Sequence, residues 1–268
     1  MSIVPIDRPR RPDRAAWLRA VIAGEVLGFS ATAMIAFVAL SLGGHPTTIT
    51  GRVVALVVMV AAGTLEGASL GYFQWRLLHR WLPGLSARRY VGATVAVAAG
   101  GWLLGMSVPL VATLAGATAA PSAAAAAPGP SAPLVALFAA GFGAAAGALF
   151  GLAQARVLAR QVRGTGAWVV GNLVGWALGL PFAYLAGSLG TATMTGWSAL
   201  GLSAGAGACM GVCVALATHA AMRRLQHDDA GAAARPGAPT MPGLPVPPTP
   251  LAVPALPDLP QAGASASK

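Results

Sequence analysis

Six long apolar runs dominate the pattern of hydrophobic and polar positions along the chain. Each run is long enough to cross roughly 30 Å of hydrocarbon as a helix that rises about 1.5 Å per residue. The first run is interrupted only by Glu25, and it exceeds the apolar region of a signal peptide, about 7–15 residues, so we expect it to be retained. The pattern predicts an all-α membrane protein with six transmembrane helices at about residues 17–42, 53–78, 90–116, 133–158, 167–189 and 196–222.

The composition of the chain excludes a soluble globular protein. Charged residues make up only 9% of the 268 residues, and hydrophobic residues make up 56%, whereas a soluble domain carries about 25% charge. The net charge of +10 comes from arginines in short clusters beside the apolar runs. Nucleic-acid binding needs a continuous basic face. We therefore expect the lipid bilayer, and not nucleic acid, as the partner.

Three segments flank or interrupt the predicted six-helix domain at residues 15–224. Residues 1–14 are polar and basic, and residues 117–132 form an uncharged linker rich in alanine and proline. Residues 225–268 contain ten prolines and little that could form a core, so we expect a disordered tail.

The distribution of arginine predicts the orientation. Fourteen arginines lie near the helix ends or loops of one side, whereas Arg52 alone lies on the other. Loops on the cytoplasmic side carry the excess of Lys and Arg. We therefore expect both termini inside the cell and the linker outside. The bias towards Ala, Gly, Pro and Arg favours a bacterial source, and hence the bacterial cytoplasmic membrane.

An internal repeat is the most specific signal in the sequence. The second and fourth spans share the pattern G-x-x-x-G-x-x-Q-x-R-x-L, and the sixth span has a degraded copy. The odd-numbered spans share another G-x-x-x-G pair. Seven residues before its first glycine stands Trp17 in the first span, Thr94 in the third and Trp168 in the fifth. We interpret the domain as three parallel helical-hairpin repeats, at about residues 17–78, 90–158 and 167–222. Their twelve glycines are Gly24, Gly28, Gly67, Gly71, Gly101, Gly105, Gly147, Gly151, Gly175, Gly179, Gly207 and Gly211.

We interpret these glycines as helix-packing positions. Lipid gives no hydrophobic drive between helices, so close approach at small residues supplies the contact. Such faces could also hold a membrane-protein partner or a second copy of the chain, and lining a substrate path is the less favoured alternative.

Several polar and aromatic residues are predicted to lie at the membrane interface. Gln74 and Gln154 come near the predicted cytoplasmic ends, where they could bond a neighbouring helix end, lipid headgroups or a ligand. An interfacial belt is predicted from tryptophans near these ends, and the assigned interfacial set is Gln74, Gln154, Trp75, Arg76 and Arg156, with Trp17, Trp81 and Trp168 in the same belt.

The repeat resembles uncharacterised bacterial multi-spanning membrane proteins that carry G-x-x-x-G-x-x-Q-W-x-x-L-R segments followed by a G-W-x-x-G helix. The resemblance covers roughly residues 60–180 and depends on the first copy of the repeat and the helix after it. Its residues are Gly67, Gly71, Gln74, Trp75, Arg76 and Leu78, then Gly101, Trp102 and Gly105. The resemblance implies a fold and a location, and no activity.

The candidate intramembrane polar site consists of Glu25, Glu66 and Asn172. A charged residue in a span costs at least about 2.5–3.5 kcal/mol at mid-membrane. Both carboxyls are expected at similar depth in neighbouring helices, where like charge and low dielectric would keep at least one protonated. They could couple transport to the movement of a proton or cation, or recognise a partner. They could also be neutral groups that form hydrogen bonds with the backbone or with Thr64 and Ser69. Asn172 is interpreted as interhelical glue.

The sequence indicates no metal site and no cofactor. Cys209 and Cys213 share a helical face but lack His or acidic neighbours. No nucleophile–base pair can be placed at one depth, so we do not expect an enzyme. The favoured hypothesis is a non-enzymatic structural or helix–helix interaction protein. The alternative is a small transporter or proton-coupled carrier that uses Glu25 and Glu66.

Overall fold

The structure, a computed structural model, describes residues 10–44, 46–114, 131–189 and 194–227. Within these residues the prediction of an all-helical chain with six long helices is confirmed. One short two-stranded antiparallel sheet pairs residues beyond the fourth and sixth helices. The elements are α1 (Arg14–Gly43), α2 (Ile49–Trp81), α3 (Ala87–Leu114), α4 (Ala132–Leu158), β1 (Val162–Arg163), α5 (Thr165–Leu189), α6 (Gly196–Met222) and β2 (Gln226–His227).

Hydroxyl and carboxylate side chains fix where several helices begin. The Asp13 carboxylate accepts a hydrogen bond from the Ala16 amide at 2.7 Å. Thr48 accepts one from the Gly51 amide at 3.0 Å, and Thr195 accepts one from the Ser198 amide at 3.2 Å. These side chains satisfy first-turn donors that have no partner inside the helix. Gly44 ends α1 with a positive φ of 63°, which glycine adopts without steric cost.

All six helices are long and apolar enough to cross a membrane. Many large apolar side chains on them are exposed, including Leu137 and Phe138 on α4, whereas Gln74, Gln154 and Asn172 are buried. An apolar exterior around a polar interior is suited to a hydrocarbon solvent. This arrangement is that of a multi-pass membrane protein.

The helices form a closed ring in sequence order. Each helix packs against the next, and α6 returns to pack against α1. The pair α3 and α4 makes the least contact of the six neighbouring pairs. These two helices are joined through residues 115–130, so the predicted linker lies almost entirely outside the described residues.

Ten of the twelve glycines singled out above lie in close contact with a neighbouring helix. A Cβ atom added at Gly28 would lie 2.8 Å from the Glu66 Cα on α2, and one at Gly67 would lie 2.6 Å from the Ala98 Cβ on α3. The same holds between α4 and α5, where a Cβ at Gly147 would lie 2.5 Å from a backbone oxygen. These glycines therefore set the spacing of the helices.

Gly101 and Gly105 differ from the other ten glycines. Among the described residues, no heavy atom of another element lies within 4 Å of a Cβ built at either position. The expectation that this pair packs a helix within the bundle is corrected here. The physical reason is that α3 packs closely on α2 nearer its start, where Thr94 and Ala98 meet Gly71 and Gly67, and makes little contact with α4.

The two ends of the described part of the chain meet where α2, α4 and α6 finish. We call this region the arginine end because Arg80, Arg160 and Arg223 lie there. The Arg11 guanidinium donates to the carbonyls of Arg223 and Leu225 and lies 5.2 Å from the centre of the Trp81 ring. Leu225 is buried, and β2 follows it. The predicted disordered tail is therefore wrong for residues 225–227, and residues 228–268 lie outside the described part.

We predict that Gly147→Ala destabilises the bundle. The added methyl would meet backbone atoms of Asn172 on α5 that cannot rotate away, and overpacking of this kind costs about 1–3 kcal/mol. Thermal unfolding followed by circular dichroism in detergent measures the effect. Gly92→Ala is the matched control, because open space around Gly92 on α3 should leave stability equal or raised by up to about 1 kcal/mol. Equal stability of both variants would contradict glycine-set spacing.

Candidate functional site

A layer of hydrogen-bonded polar side chains crosses the interior of the bundle close to the arginine end. The Gln154 Nε2 of α4 donates to the Gln74 Oε1 of α2 and to the Thr94 Oγ1 of α3, both at 3.0 Å. The Tyr90 hydroxyl donates to the same Gln74 oxygen at 3.1 Å, and the Trp168 indole donates to the Gln154 Oε1 at 2.9 Å. All five side chains are fully buried. One glutamine amide thus joins helices that are distant in sequence.

The remaining two helices reach the same layer through Trp17 and Thr218. The Trp17 indole donates to the Thr218 hydroxyl at 3.0 Å. The rings of Trp17 and Trp168 meet edge to face at 5.8 Å. All six helices therefore contribute to one connected set, here called the polar layer: Trp17, Gln74, Tyr90, Thr94, Gln154, Trp168 and Thr218.

The polar layer shows which residues of the predicted interfacial belt face into the bundle. Gln74 and Gln154 have no exposed surface, and the same is true of Trp17 and Trp168. Trp81 is also buried. The residues were assigned from distance along the helix to the nearest arginine, which gives depth but not the helix face. Of the assigned set, Arg76 and Arg156 are exposed and Trp75 is half-buried.

Asn172 is buried beside the layer but does not bridge helices with its amide. Its Nδ2 donates to the Trp168 carbonyl, one turn earlier in the same helix, at 3.0 Å. Its interhelical contacts are packing contacts, since Gly147 lies against its backbone and Gly151 against its Cβ. The prediction of side-chain glue between helices is therefore corrected.

Glu66 has a partner that the sequence did not suggest. The Trp102 indole of α3 donates to the Glu66 Oε2 at 2.9 Å. The hydroxyls of Thr64 and Ser69 donate instead to the backbone carbonyls of Ala61 and Gly24. The expected partners are thus replaced by a tryptophan on the next helix.

Glu25 is the strongest polar anomaly in the described residues. Its side chain is fully buried, and neither carboxyl oxygen has a hydrogen-bond partner there. Glu66 is close enough to interact with it electrostatically, but no hydrogen bond joins the two carboxyls. An unpaired buried charge is costly, so this carboxyl can hold a proton or take a donor or cation from outside the chain.

Two glycines that the sequence analysis missed, Gly63 and Gly143, lie against the tryptophans that align with Glu25. A Cβ at Gly63 would fall 1.9 Å from the Trp102 ring, and one at Gly143 would fall 2.3 Å from the Trp176 carbonyl. Each comes four residues before a predicted glycine pair, so extending the pattern by one turn would have found it. Glu25 occupies the aligned position of Trp102 and Trp176 and packs beside Gly211 on α6. A carboxyl stands on α1 where the aligned positions of α3 and α5 have an indole.

Comparison of the chain with models of protein families, with curated proteins and with solved structures finds no match in any of the three.

We predict that Gln154→Leu lowers the free energy of unfolding by about 1–2 kcal/mol, because the buried Trp168 indole loses its acceptor. The measurement is thermal unfolding in detergent, with Gln226→Leu as the exposed control. Trp168→Phe combined with Gln154→Leu should cost less than the sum of the two single changes, because no donor is then left unpaired. Strict additivity would contradict the hydrogen bond.

Proposed function

We propose that this chain is a non-enzymatic membrane protein that acts through helix–helix contact, and that the contact face lies on α3. The observation that carries this proposal is the uncovered pair Gly101 and Gly105. The other ten glycines already pack inside the bundle, so they are not available to a partner. A G-x-x-x-G pair in lipid brings two helices close enough for extensive van der Waals contact.

The coverage of α3 supports this assignment. Only 11% of its most apolar 18-residue stretch is buried, which is the smallest share among the six helices. Leu104 and Val108, beside the glycine pair, are 61% and 66% exposed. The proposed occupant is a second copy of the chain, because one face docking on itself across a two-fold axis closes the assembly at a dimer.

We further propose that the bundle consists of three parallel hairpins with the arginine end in the cytoplasm of a bacterium. The repeat is supported by similar contacts, since Gly28 meets α2 within the first proposed hairpin and Gly179 meets α6 within the third. The orientation is supported by the arginine excess at one end. Both termini would then be inside the cell, with the bilayer as the immediate partner.

We predict that the full chain is dimeric in nanodiscs and that Gly105→Ile makes it monomeric. The added β-branched side chain would keep two α3 helices apart, whereas open space at Gly105 should let each bundle fold. Single-molecule photobleaching of labelled protein counts the copies in each disc.

Gly92→Ile is the matched control for this experiment. Gly92 also has open space around it, but it lies roughly 180° around α3 from Gly101. It should leave the dimer intact. A monomeric wild-type chain, or a dimer that survives Gly105→Ile, would refute the α3 contact.

A second candidate function is proton- or cation-coupled transport, favoured by one specific observation. The buried Glu25 carboxyl lacks any partner in the described residues, and Glu66 lies near it. In membrane proteins such groups mark ion pathways and proton relays. A coupled carrier needs a carboxyl that gains and loses its proton as the site opens.

We predict that, if this second function operates, proteoliposomes containing the protein show proton uptake that Glu25→Gln with Glu66→Gln reduces to the level of empty vesicles. The side-chain amides of the two introduced glutamines cannot bind and release a proton as a carboxyl does. A pH-sensitive dye inside the vesicles reports the flux under an imposed potential, and Glu25→Asp should retain part of it. Wild-type flux equal to empty vesicles, or equal flux in the double variant, would exclude the coupling role.

A further inference from the structure

A cavity at the arginine end has no role in the function proposed above. It has a volume of about 360 Å³ and lies between the turn that joins α2 to α3 and the end of α4. Its lining includes Gly84, Leu85, Ser86, Arg89, Arg160 and Gln161. The cavity is separate from the polar layer and from Glu25, none of whose residues line it.

The cavity is strongly positive. Two guanidiniums, those of Arg89 and Arg160, line it, and neither forms an ion pair or hydrogen bond with another described residue. The described residues include three acidic side chains, and Glu25 and Glu66 are buried in the spans while Asp13 caps α1. Two like charges on one cavity repel each other unless an anion lies between them.

The backbone adds to this field. Arg89 belongs to the first turn of α3, and Ser86 precedes that helix and accepts from the Arg89 amide at 3.4 Å. The N-terminus of a helix carries a partial positive charge and amides that point at an anion. The helix start alone would not define a site, but here it opens into a cavity that already has two arginines.

The walls suit a group that is partly polar and partly apolar. Leu85 is buried beneath the cavity, and Trp75 fixes its backbone by donating from the indole to the Leu85 carbonyl at 2.9 Å. Gln161 supplies an amide that can donate to an oxygen. Arginine forks match the oxygens of phosphate. Pockets of this kind at the ends of membrane helices hold anionic lipid headgroups.

We propose that this cavity binds a phosphate group between Arg89 and Arg160. The group could belong to an anionic lipid or to a phosphate ion in solution. Either source presents the same oxygens to the two guanidiniums, so competition decides between them.

The test titrates fluorescent short-chain phosphatidylglycerol into the detergent-solubilised full chain. Diacylglycerol with the same label, which lacks phosphate, should bind at least about tenfold more weakly. Arg89→Gln with Arg160→Gln should weaken phosphatidylglycerol binding by a similar factor. Arg88→Gln with Arg156→Gln removes the same charge from nearby positions outside the cavity, and it should leave binding within about twofold.

A second variant tests the cavity without changing charge. A Cβ at Gly84 already falls 2.9 Å from the Gln161 Oε1, so Gly84→Leu fills the cavity and should also weaken binding about tenfold. Displacement of the lipid by millimolar inorganic phosphate would identify a phosphate ion site, and resistance would identify a lipid headgroup. Equal binding of the two lipids, or equal binding by wild type and the Arg89 and Arg160 variant, would overturn the proposal.

Discussion

The close approach of backbones at glycine is the constraint on which the rest of this structure depends. Lipid is as apolar as a leucine side chain, so helices gain little by turning apolar faces to one another. They gain by shortening the distance between backbones, which only small residues permit. Five of the six neighbouring pairs of helices in the ring pack in this way. They run from Gly24 and Gly28 of α1, which pack against α2, to Gly207 and Gly211 of α6, which pack against α1. The large apolar side chains are thereby left to face outward.

Glycine contact also decides where large side chains can lie. The ring of Trp102 rests on the surface that Gly63 leaves bare, Gly143 lies against the backbone of Trp176, and Phe150 stacks on the Trp176 ring at 4.6 Å. At the aligned position on α1 the side chain is Glu25, which is smaller than an indole and has two polar oxygens. A substitution that preserved packing alone would have kept an apolar ring. The carboxyl at this position is therefore the departure that a purely structural role explains least.

The sequence predicted the elements well and the site poorly, for one physical reason. Length and hydropathy fix a membrane helix because every backbone group must be satisfied within it, so the bounds of α4 and α6 were predicted closely. Which face of a helix looks inward depends on its neighbours. The sequence consequently placed Gln74, Gln154 and Trp168 near their helix ends but did not show that their side chains face inward and form the polar layer. Thr94 was recognised only as an exception to a tryptophan position, and its bond to Gln154 could not be foreseen.

The pair α3 and α4 shows how hydrogen bonding can replace glycine contact. Gly101 and Gly105 touch no helix, yet α4 is held to α3 because Gln154 donates to Thr94, whose own hydroxyl donates to the Tyr90 carbonyl. Hydrogen bonds between membrane helices are worth about 1–2 kcal/mol at most, so a few such bonds at one depth can fix a pair without closing it along its length. The ring is therefore closed by packing at five of its interfaces and by the polar layer at the sixth. The part of α3 beyond that layer remains available for contact outside the bundle.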